Sequence, residues 1–176
     1  NSGTELAAEI EFKKIKFLPK VYLSHTYLKS YIKSANLATY DFMSEYPSVI
    51  SITGNRLPYT PKNILIVGIE MEYFNNIKTR LDYKYVDKYY TDFHNIEESS
   101  ITGIYGRVKG NGIINCSIMY DLSDKISLSI VGKNLEDKIY IGSRLHSSPF
   151  QPSANISSGI IPGARRQINF SLEINL

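Results

Sequence analysis

The sequence has little of several features that mark common protein classes. Cys116 is the only cysteine among 176 residues, which excludes an internal disulfide and a CxxC metal site. Tryptophan is absent, and no apolar run approaches the roughly 18 residues that a transmembrane helix needs. The formal net charge is only +3, and Lys and Arg do not cluster along one face. Nucleic acid is therefore not an expected partner.

Signatures of catalysis are also missing. No GxSxG or comparable nucleophile element occurs. Ser24 and His25 are adjacent, but neighbouring strand residues point to opposite faces, so these two do not form a nucleophile–base pair. The three histidines, His25, His94 and His146, are far apart and lack metal-ligand spacing. The sequence predicts neither an enzyme, nor a bound cofactor, nor a metal site.

What the chain does have is a rhythm of amphipathic segments. The predicted strands are 4–13, 17–30, 61–73, 77–91, 110–121, 125–137 and 165–176. Their connections alternate between short turns at 14–16, 75–76 and 123–124 and long polar loops at 31–60, 92–109 and 138–164. Bacterial outer-membrane barrels have short periplasmic turns and longer extracellular loops. The pattern predicts an all-β fold, an antiparallel transmembrane β-barrel portion of about seven strands.

The faces of the predicted strands agree with that fold. In the last one Ile168, Phe170 and Leu172 alternate with polar residues, a clean period of two. The alternative is a soluble antiparallel barrel with its apolar face inside, because alternation does not show which face of the sheet contacts water. Loop asymmetry and the 14 tyrosines favour the membrane. Candidate positions for an interfacial aromatic girdle are Tyr22, Tyr27, Tyr73, Tyr85, Tyr89, Tyr90 and Tyr120.

Seven is an odd number of strands, whereas complete bacterial single-chain barrels have an even number. The chain also begins at Asn1 without a signal peptide. We therefore expect part of a larger barrel. The alternative is a small passive porin or structural outer-membrane barrel, which needs an eighth strand. Segment 48–52 is the best candidate for that strand, but a lone extra strand would reverse the loop rhythm, so we place the segment in a loop.

Three sequence elements carry a family resemblance. Residues 54–63, GNRLPYTPKN, are similar to the G-N-x-x-P-x-x-P-x-[HN] segment of TonB-dependent receptors. Residues 131–140 resemble their V-x-x-N-L-F-D-x-x-Y element, and residues 163–166 resemble the G-x-P-R that opens their final strand. The matching residues are Gly54, Asn55, Pro58, Pro61, Asn134, Leu135, Asp137, Tyr140, Gly163 and Arg166.

The chain departs from the family pattern at three positions. Glu136 stands where an aromatic residue is usual, Arg165 where proline is usual, and Leu176 where the chain usually ends in an aromatic residue. The physical roles of the matching residues are structural. Asn134 and Asp137 can satisfy free backbone groups where a strand leaves the sheet, and Gly163 allows a tight re-entry into the last strand.

The resemblance, which is greatest to the ferric-dicitrate type, implies uptake of a ferric chelate (ferric citrate or a siderophore) across the bacterial outer membrane. The family builds a barrel of about 22 strands around an N-terminal plug. Residues 1–176 would form the C-terminal part of that barrel, without the plug domain and the TonB box. The implied partners are the remainder of the receptor, the TonB–ExbB–ExbD complex and outer-membrane lipid, and the chelate is the transported ligand.

Ligand contacts are expected in the outer loops, since an anionic ferric chelate calls for cationic and polar donors. The candidates are Arg144, His146, Gln151 and Asn155 in the last loop and His94 and Arg107 in the middle loop. Lys78, Arg80 and Lys84 lie near Asp82 on a predicted polar face. We expect them to form salt bridges in the wall.

Overall fold

The computed structural model describes residues 2–13, 19–39, 48–74, 76–101, 103–144 and 159–175. The predicted turn at 14–16, Asn75 and Leu176 lie outside these ranges. The chain is all-β, with strands β1 Ser2–Glu11, β2 Lys20–Lys29, β3 Asn36–Thr39, β4 Ser48–Ser51, β5 Asn63–Tyr73, β6 Ile77–Val86, β7 Asn111–Ser123, β8 Ile126–Lys133, β9 Ile141–Arg144, β10 Ile160–Pro162 and β11 Gln167–Ile174. Over the described ranges, no helix is long and apolar enough to cross a membrane.

Seven of these strands form one antiparallel sheet in the order β1-β2-β5-β6-β7-β8-β11. The seven predicted strands are thereby confirmed, but several boundaries were wrong. The strand predicted for 77–91 ends at Val86, after which Tyr89 pairs only with Val108 in an isolated bridge. The strand predicted for 125–137 ends at Lys133 because Asn134 adopts a left-handed backbone, with φ of 50°.

The first and last long loops contain short hairpins of their own. Segment 48–52 belongs to the first long loop, as predicted, but Ser48–Ser51 forms a short strand there, β4. It pairs with β3, within the same loop, and not with the seven-stranded sheet. Because β3 and β4 come as a pair, the chain leaves this loop in the same direction as it would without them. The alternation of short turns and long loops is therefore unchanged. This pairing also removes segment 48–52 as the eighth wall strand that a small complete barrel would need. The last loop contains the second hairpin, β9 with β10.

The strand register gathers the apolar side chains on one face. A single row of cross-strand partners runs from one edge of the sheet to the other and contains Ile10, Val21, Ile69, Leu81, Cys116, Gly132 and Ile168. The neighbouring row on the opposite face contains Glu11, Lys20, Glu70, Arg80, Ser117, Val131 and Asn169. Because side chains alternate along every strand, the register separates an apolar face from a largely polar one across all seven strands.

Charged side chains pair on the polar face. Glu70 lies between Lys20, with carboxylate and ammonium 3.9 Å apart, and Arg80, at 3.2 Å. Arg80 also lies 3.6 Å from Asp82, which confirms the predicted wall salt bridge for this pair. The Arg80 guanidinium stacks 4.6 Å from the ring centre of Tyr22. The assignment of Tyr22 to an interfacial girdle was therefore wrong, because its ring belongs to the polar face.

Four of the predicted girdle tyrosines lie at the ends of the apolar face. Tyr73 and Tyr120 lie near the turns, and Tyr27 and Tyr85 lie near the long loops. Tyr85 pairs with Leu65, so Leu65 marks the level of Tyr85 on β5. At the usual rise per residue, this level is about 26 Å from Tyr73 along the strand. Tyr89 and Tyr90, in contrast, belong to the long connection between β6 and β7.

The buried side chains lie outside the seven-stranded sheet. Among the described residues, the buried non-glycine side chains are Ser30, Ile52, Thr91, Ile104, Val108, Asn134 and Arg144. All of them belong to the long connections 30–62, 87–110 and 134–166, which we call the first, middle and last outer loops. Both faces of the sheet remain accessible, whereas the outer loops pack together into a small core.

Candidate functional site at the outer loops

The first and middle outer loops are joined through Asn95. Its side-chain oxygen accepts a hydrogen bond from the Arg56 backbone at 2.7 Å, and its amide donates to the Arg56 carbonyl at 2.9 Å. The Asn55 amide adds a bond to the Phe93 carbonyl at 2.8 Å. Asn95 has a φ of 56°, a left-handed conformation that asparagine tolerates well. These reciprocal bonds fix the two loops to each other much as strand pairing would.

Two tyrosines fasten the last outer loop to this pair. The Tyr59 hydroxyl donates to the Arg144 carbonyl at 2.7 Å, and the Tyr89 hydroxyl donates to the Gly142 carbonyl at 2.9 Å. The two ring centres are 5.9 Å apart. Burial away from water raises the pKa of both hydroxyls. Both tyrosines therefore stay protonated at neutral pH and remain donors.

Arg144 is buried within this loop cluster, with 3% of its surface exposed. Its guanidinium donates to the Gly103 carbonyl at 2.5 Å and to the Ser99 hydroxyl at 2.7 Å. Burial lowers the pKa of Arg144, yet a guanidinium stays protonated in proteins. The sequence suggested this residue as a ligand contact. In the structure its donors face the middle loop, and its role toward a ligand stays a prediction.

Arg107 and His94 lie in the middle loop. Arg107 forms an ion pair with Glu97, and the Tyr90 hydroxyl donates to the other oxygen of that carboxylate at 2.6 Å. The Tyr90 bond, followed by the nearby Arg107, lowers the pKa of Glu97. His94 is half-buried, and its backbone donates to the Asp92 carboxylate at 2.9 Å. Ligand binding by these two residues also remains a prediction.

The other three predicted ligand residues, His146, Gln151 and Asn155, lie outside the described residues. The structure thus brings Arg144 together with the middle loop but does not test the full set. In the described part of the chain, no three His, Cys, Asp or Glu side chains converge to hold a metal ion.

Asn134 organises the point where β8 leaves the sheet. It is 1% exposed, and its amide donates to the Lys138 and Ala164 carbonyls at 2.9 Å each. Its side-chain oxygen accepts from the Lys138 backbone at 3.0 Å. This confirms the prediction that Asn134 satisfies free backbone groups at a strand end. Leu135, next to it, lies over Gly132. A Cβ added at position 132 would be 2.6 Å from the Leu135 side chain.

Asp137 forms further hydrogen bonds at the same junction, with residues that precede β11. Its carboxylate accepts a bidentate pair from Arg165, at 2.8 and 2.5 Å, and a bond from the Arg166 backbone at 2.9 Å. These bonds, led by the one from Arg165, hold the pKa of Asp137 well below its usual range. The prediction for Asp137 is confirmed. Arg165, which departs from the family pattern, is its main partner.

The 54–63 element forms the entry into β5. Gly54 has a φ of 86°, which favours glycine, and its backbone donates to the Ile32 carbonyl at 2.8 Å. Pro58 and Pro61 precede the first paired residue of the strand, Asn63, as proline at a strand entry should. Sequence reasoning did not single out Tyr59 inside this element as the link to the last loop. Its position within the motif was the only signal available.

Comparison with known proteins identifies the fold. No protein-family model matches the sequence, and no curated protein sequence does either. Among solved structures, the chain is similar to the ferric citrate transporter FecA in the unliganded form, with 19% identity, a TM-score of 0.63, and 89% of this chain and 21% of that one covered.

Two further structures give the same result. The siderophore receptor PiuA from Acinetobacter baumannii matches with 15% identity and a TM-score of 0.67, covering 98% of this chain and 21% of that one. The ferric yersiniabactin uptake receptor FyuA from Yersinia pestis matches with 13% identity and a TM-score of 0.62, covering 98% and 23%. The chain spans about a fifth of the length of these proteins. It therefore has the fold of a portion of the barrel of TonB-dependent receptors.

Proposed function

We propose that this chain supplies the C-terminal barrel wall and outer loops of an outer-membrane TonB-dependent transporter for a ferric chelate. The observation that carries the proposal is the apolar face, which continues from β1 to β11 without a polar interruption in its central row. Such a face suits contact with lipid hydrocarbon, and the charged opposite face suits a wet lumen. Tyrosines at both ends of the apolar face match the two membrane interfaces.

The comparisons support the type of ligand. The similar structures are named as transporters or receptors for ferric citrate, a siderophore and ferric yersiniabactin. A ferric chelate is the chemistry that these names share, and none of them is an enzyme. Together with the 54–63, 131–140 and 163–166 elements, they favour a gated receptor over a passive porin.

The edges of the sheet indicate the partners. In the described residues, β1 and β11 are each paired on one side only. An unpaired edge in lipid costs several kcal/mol for each unsatisfied backbone group, so further strands are required on both sides. We assign them to the remainder of a receptor barrel of about 22 strands. That remainder would also carry the plug and the contact with the TonB–ExbB–ExbD complex.

A matched pair of substitutions on β8 tests the assignment of the faces. Ile130 pairs with Ile118 and Phe170 on the apolar face, whereas the neighbouring Ser129 pairs with Met119 and Ser171 on the other. In the whole receptor, Ile130→Arg should abolish or strongly reduce the folded, heat-modifiable form in outer membranes. An arginine on the lipid face costs about 2–4 kcal/mol at mid-bilayer. Ser129→Arg should leave that form intact, and the reverse result would contradict the proposal.

Uptake of radioactive iron by whole cells tests transport itself. Cells that depend on the receptor should accumulate iron from ferric citrate or a siderophore only when the TonB complex is functional. Accumulation that continues at the same rate without TonB would identify a passive pore instead.

A further inference from the structure

The apolar face of the seven-stranded sheet carries almost no charge. Within these seven strands, the register places a single Lys, Arg, Asp or Glu on that face, Lys29 at the outer end of β2. Its partner on β1 is the neutral Ser2. Beside the short turns, the residues of the same face are uncharged, for example Tyr73, Ile77 and Tyr120. Charge on this side of the strands is therefore confined to the end beside the outer loops.

A second ammonium group lies close to Lys29. Lys62 comes directly before β5, and its ammonium nitrogen lies 5.6 Å from the centre of the Tyr27 ring. Tyr27 and Lys29 are two residues apart on β2, so they share the apolar face at a spacing of about 7 Å. The Lys62 carbonyl accepts a hydrogen bond from the Leu28 backbone at 2.9 Å, which joins the two chain segments. Two lysines thus flank one tyrosine at the level expected for a membrane interface.

Neither lysine is neutralised by a carboxylate. Both are exposed, and no ion pair in the described part of the chain involves Lys29 or Lys62. An acidic residue at this end of the sheet, Asp87, has other partners. One of its oxygens accepts from the Asn63 amide at 3.0 Å, and the other accepts from the Lys88 backbone at 2.8 Å.

The polar groups next to the lysines bond to one another. Because the Asn63 amide donates to Asp87, its oxygen is turned toward His25, whose Nε2 lies 3.2 Å away. An amide oxygen only accepts, so Nε2 is the donor in this bond. His25, Asn63 and Asp87 are thereby joined in one chain of hydrogen bonds, and no ammonium group takes part in it. The ammonium groups of the two lysines remain available to a ligand.

We propose that Lys29 and Lys62 bind the phosphate group of a lipid in the outer leaflet of the membrane. Lysine is a common phosphate ligand, and lysines near a membrane surface attract anionic lipid headgroups. The site opens onto an apolar surface that begins with the paired residues Leu23 and Val67, against which acyl chains would lie. A free phosphate ion would make no use of that surface. This inference rests on the membrane orientation in the proposed function, and it concerns the wall and not the transported ligand.

The test is native mass spectrometry of the whole receptor in detergent. Two probes are offered: lipid A with two phosphate groups, and dephosphorylated lipid A with the same acyl chains. Wild type should retain the phosphorylated form better. Lys29→Gln and Lys62→Gln should each weaken its binding about fivefold, the effect of one lysine at an anionic lipid surface, and leave the dephosphorylated form unaffected. Lys29→Arg and Lys62→Arg keep the charge and should bind almost as wild type does.

Two controls separate the position of a charge from its sign. Lys84→Gln removes a positive charge near the same end of the sheet but on the opposite face, where Lys84 pairs with Ile66 and Ile113. Lys125→Gln removes one at the other end, beside the β7–β8 turn. Neither should change the binding of phosphorylated lipid A. A loss at either control as large as that of Lys29→Gln would indicate general charge attraction and overturn the inference.

Two further outcomes would also overturn it. One is equal retention of the two lipid forms by wild type, a comparison that requires no variant to fold. The other is displacement of bound lipid by millimolar inorganic phosphate, which would identify a site for the free ion. In either case iron uptake that depends on TonB would leave the proposed function intact. Uptake that continues without TonB would contradict the proposed function, whatever the lipid result.

Discussion

The ring of Tyr140 lies directly over Gly163, and the Gly163 backbone donates to the Tyr140 carbonyl at 2.8 Å. A Cβ at position 163 would be 2.2 Å from the ring. Two elements far apart in sequence, 131–140 and 163–166, therefore depend on each other for their packing at the entry to β11.

Gly163→Ala should consequently lower the stability of the whole receptor by about 1–3 kcal/mol, the usual cost of overpacking. Thermal unfolding in detergent would measure the change. Adding Tyr140→Ala should remove most of the extra cost of the alanine, since the clashing ring is gone. If Gly163→Ala is equally destabilising with and without the Tyr140 ring, the packing explanation fails.

Asn134→Ala should destabilise the junction between β8 and the last loop. It leaves the Lys138 and Ala164 carbonyls without the donor they have now. Each lost hydrogen bond is worth about 0.5–1.5 kcal/mol. Urea unfolding would show the loss, with Asn169→Ala, an exposed residue of β11, as the matched control. Equal effects at the two positions would contradict the role of Asn134.

Asp137 should give the protein an acid-sensitive contribution to stability. Its pKa is lowered in the folded state by Arg165 first and then by the Arg166 backbone. The contribution is therefore present above the ordinary Asp pKa and is lost as the pH falls from that value toward the folded one. Asp137→Asn should be less stable than wild type at neutral pH, and the difference should shrink below about pH 4. A difference that is constant over this range would refute the ion-pair explanation.

Glu70 should contribute through charge on the polar face, because it lies between Lys20 and Arg80. Glu70→Gln should cost up to about 1 kcal/mol, the usual range for exposed pairs, and less in high salt. Unfolding at low and high ionic strength would test this. Glu173→Gln, at the exposed edge strand β11, serves as the control and should have little effect. An effect of Glu70→Gln that salt leaves unchanged would point to hydrogen bonding instead.

The wall could be predicted from sequence because the side chains of most of its strands follow a period of two, as in Ile168, Phe170 and Leu172. The roles of Asn134 and Asp137 were also predictable, since these side chains commonly bond to nearby backbone at strand ends. In both cases the physical requirement is local, so the neighbouring residues reveal it.

The contacts between the outer loops could not be predicted in the same way. Asn95 and Arg56 meet across 39 positions, and no spacing rule connects them. The strands of the hairpins within the loops are three or four residues long, which is too short for a period of two to be recognised. Arginine in a polar loop is expected to be solvated, so the burial of Arg144 had no local signal either.

The location of the buried side chains has a consequence for the order of folding. Three of the six connections between consecutive wall strands are short turns, and the pairings across them close small loops at little entropic cost. The outer-loop core instead depends on contacts such as that between Tyr59 and Arg144, which are 85 positions apart. Contacts between distant positions form slowly and late. The loops should therefore acquire their structure last, on a wall that is already paired, and should be the first part to open under denaturant.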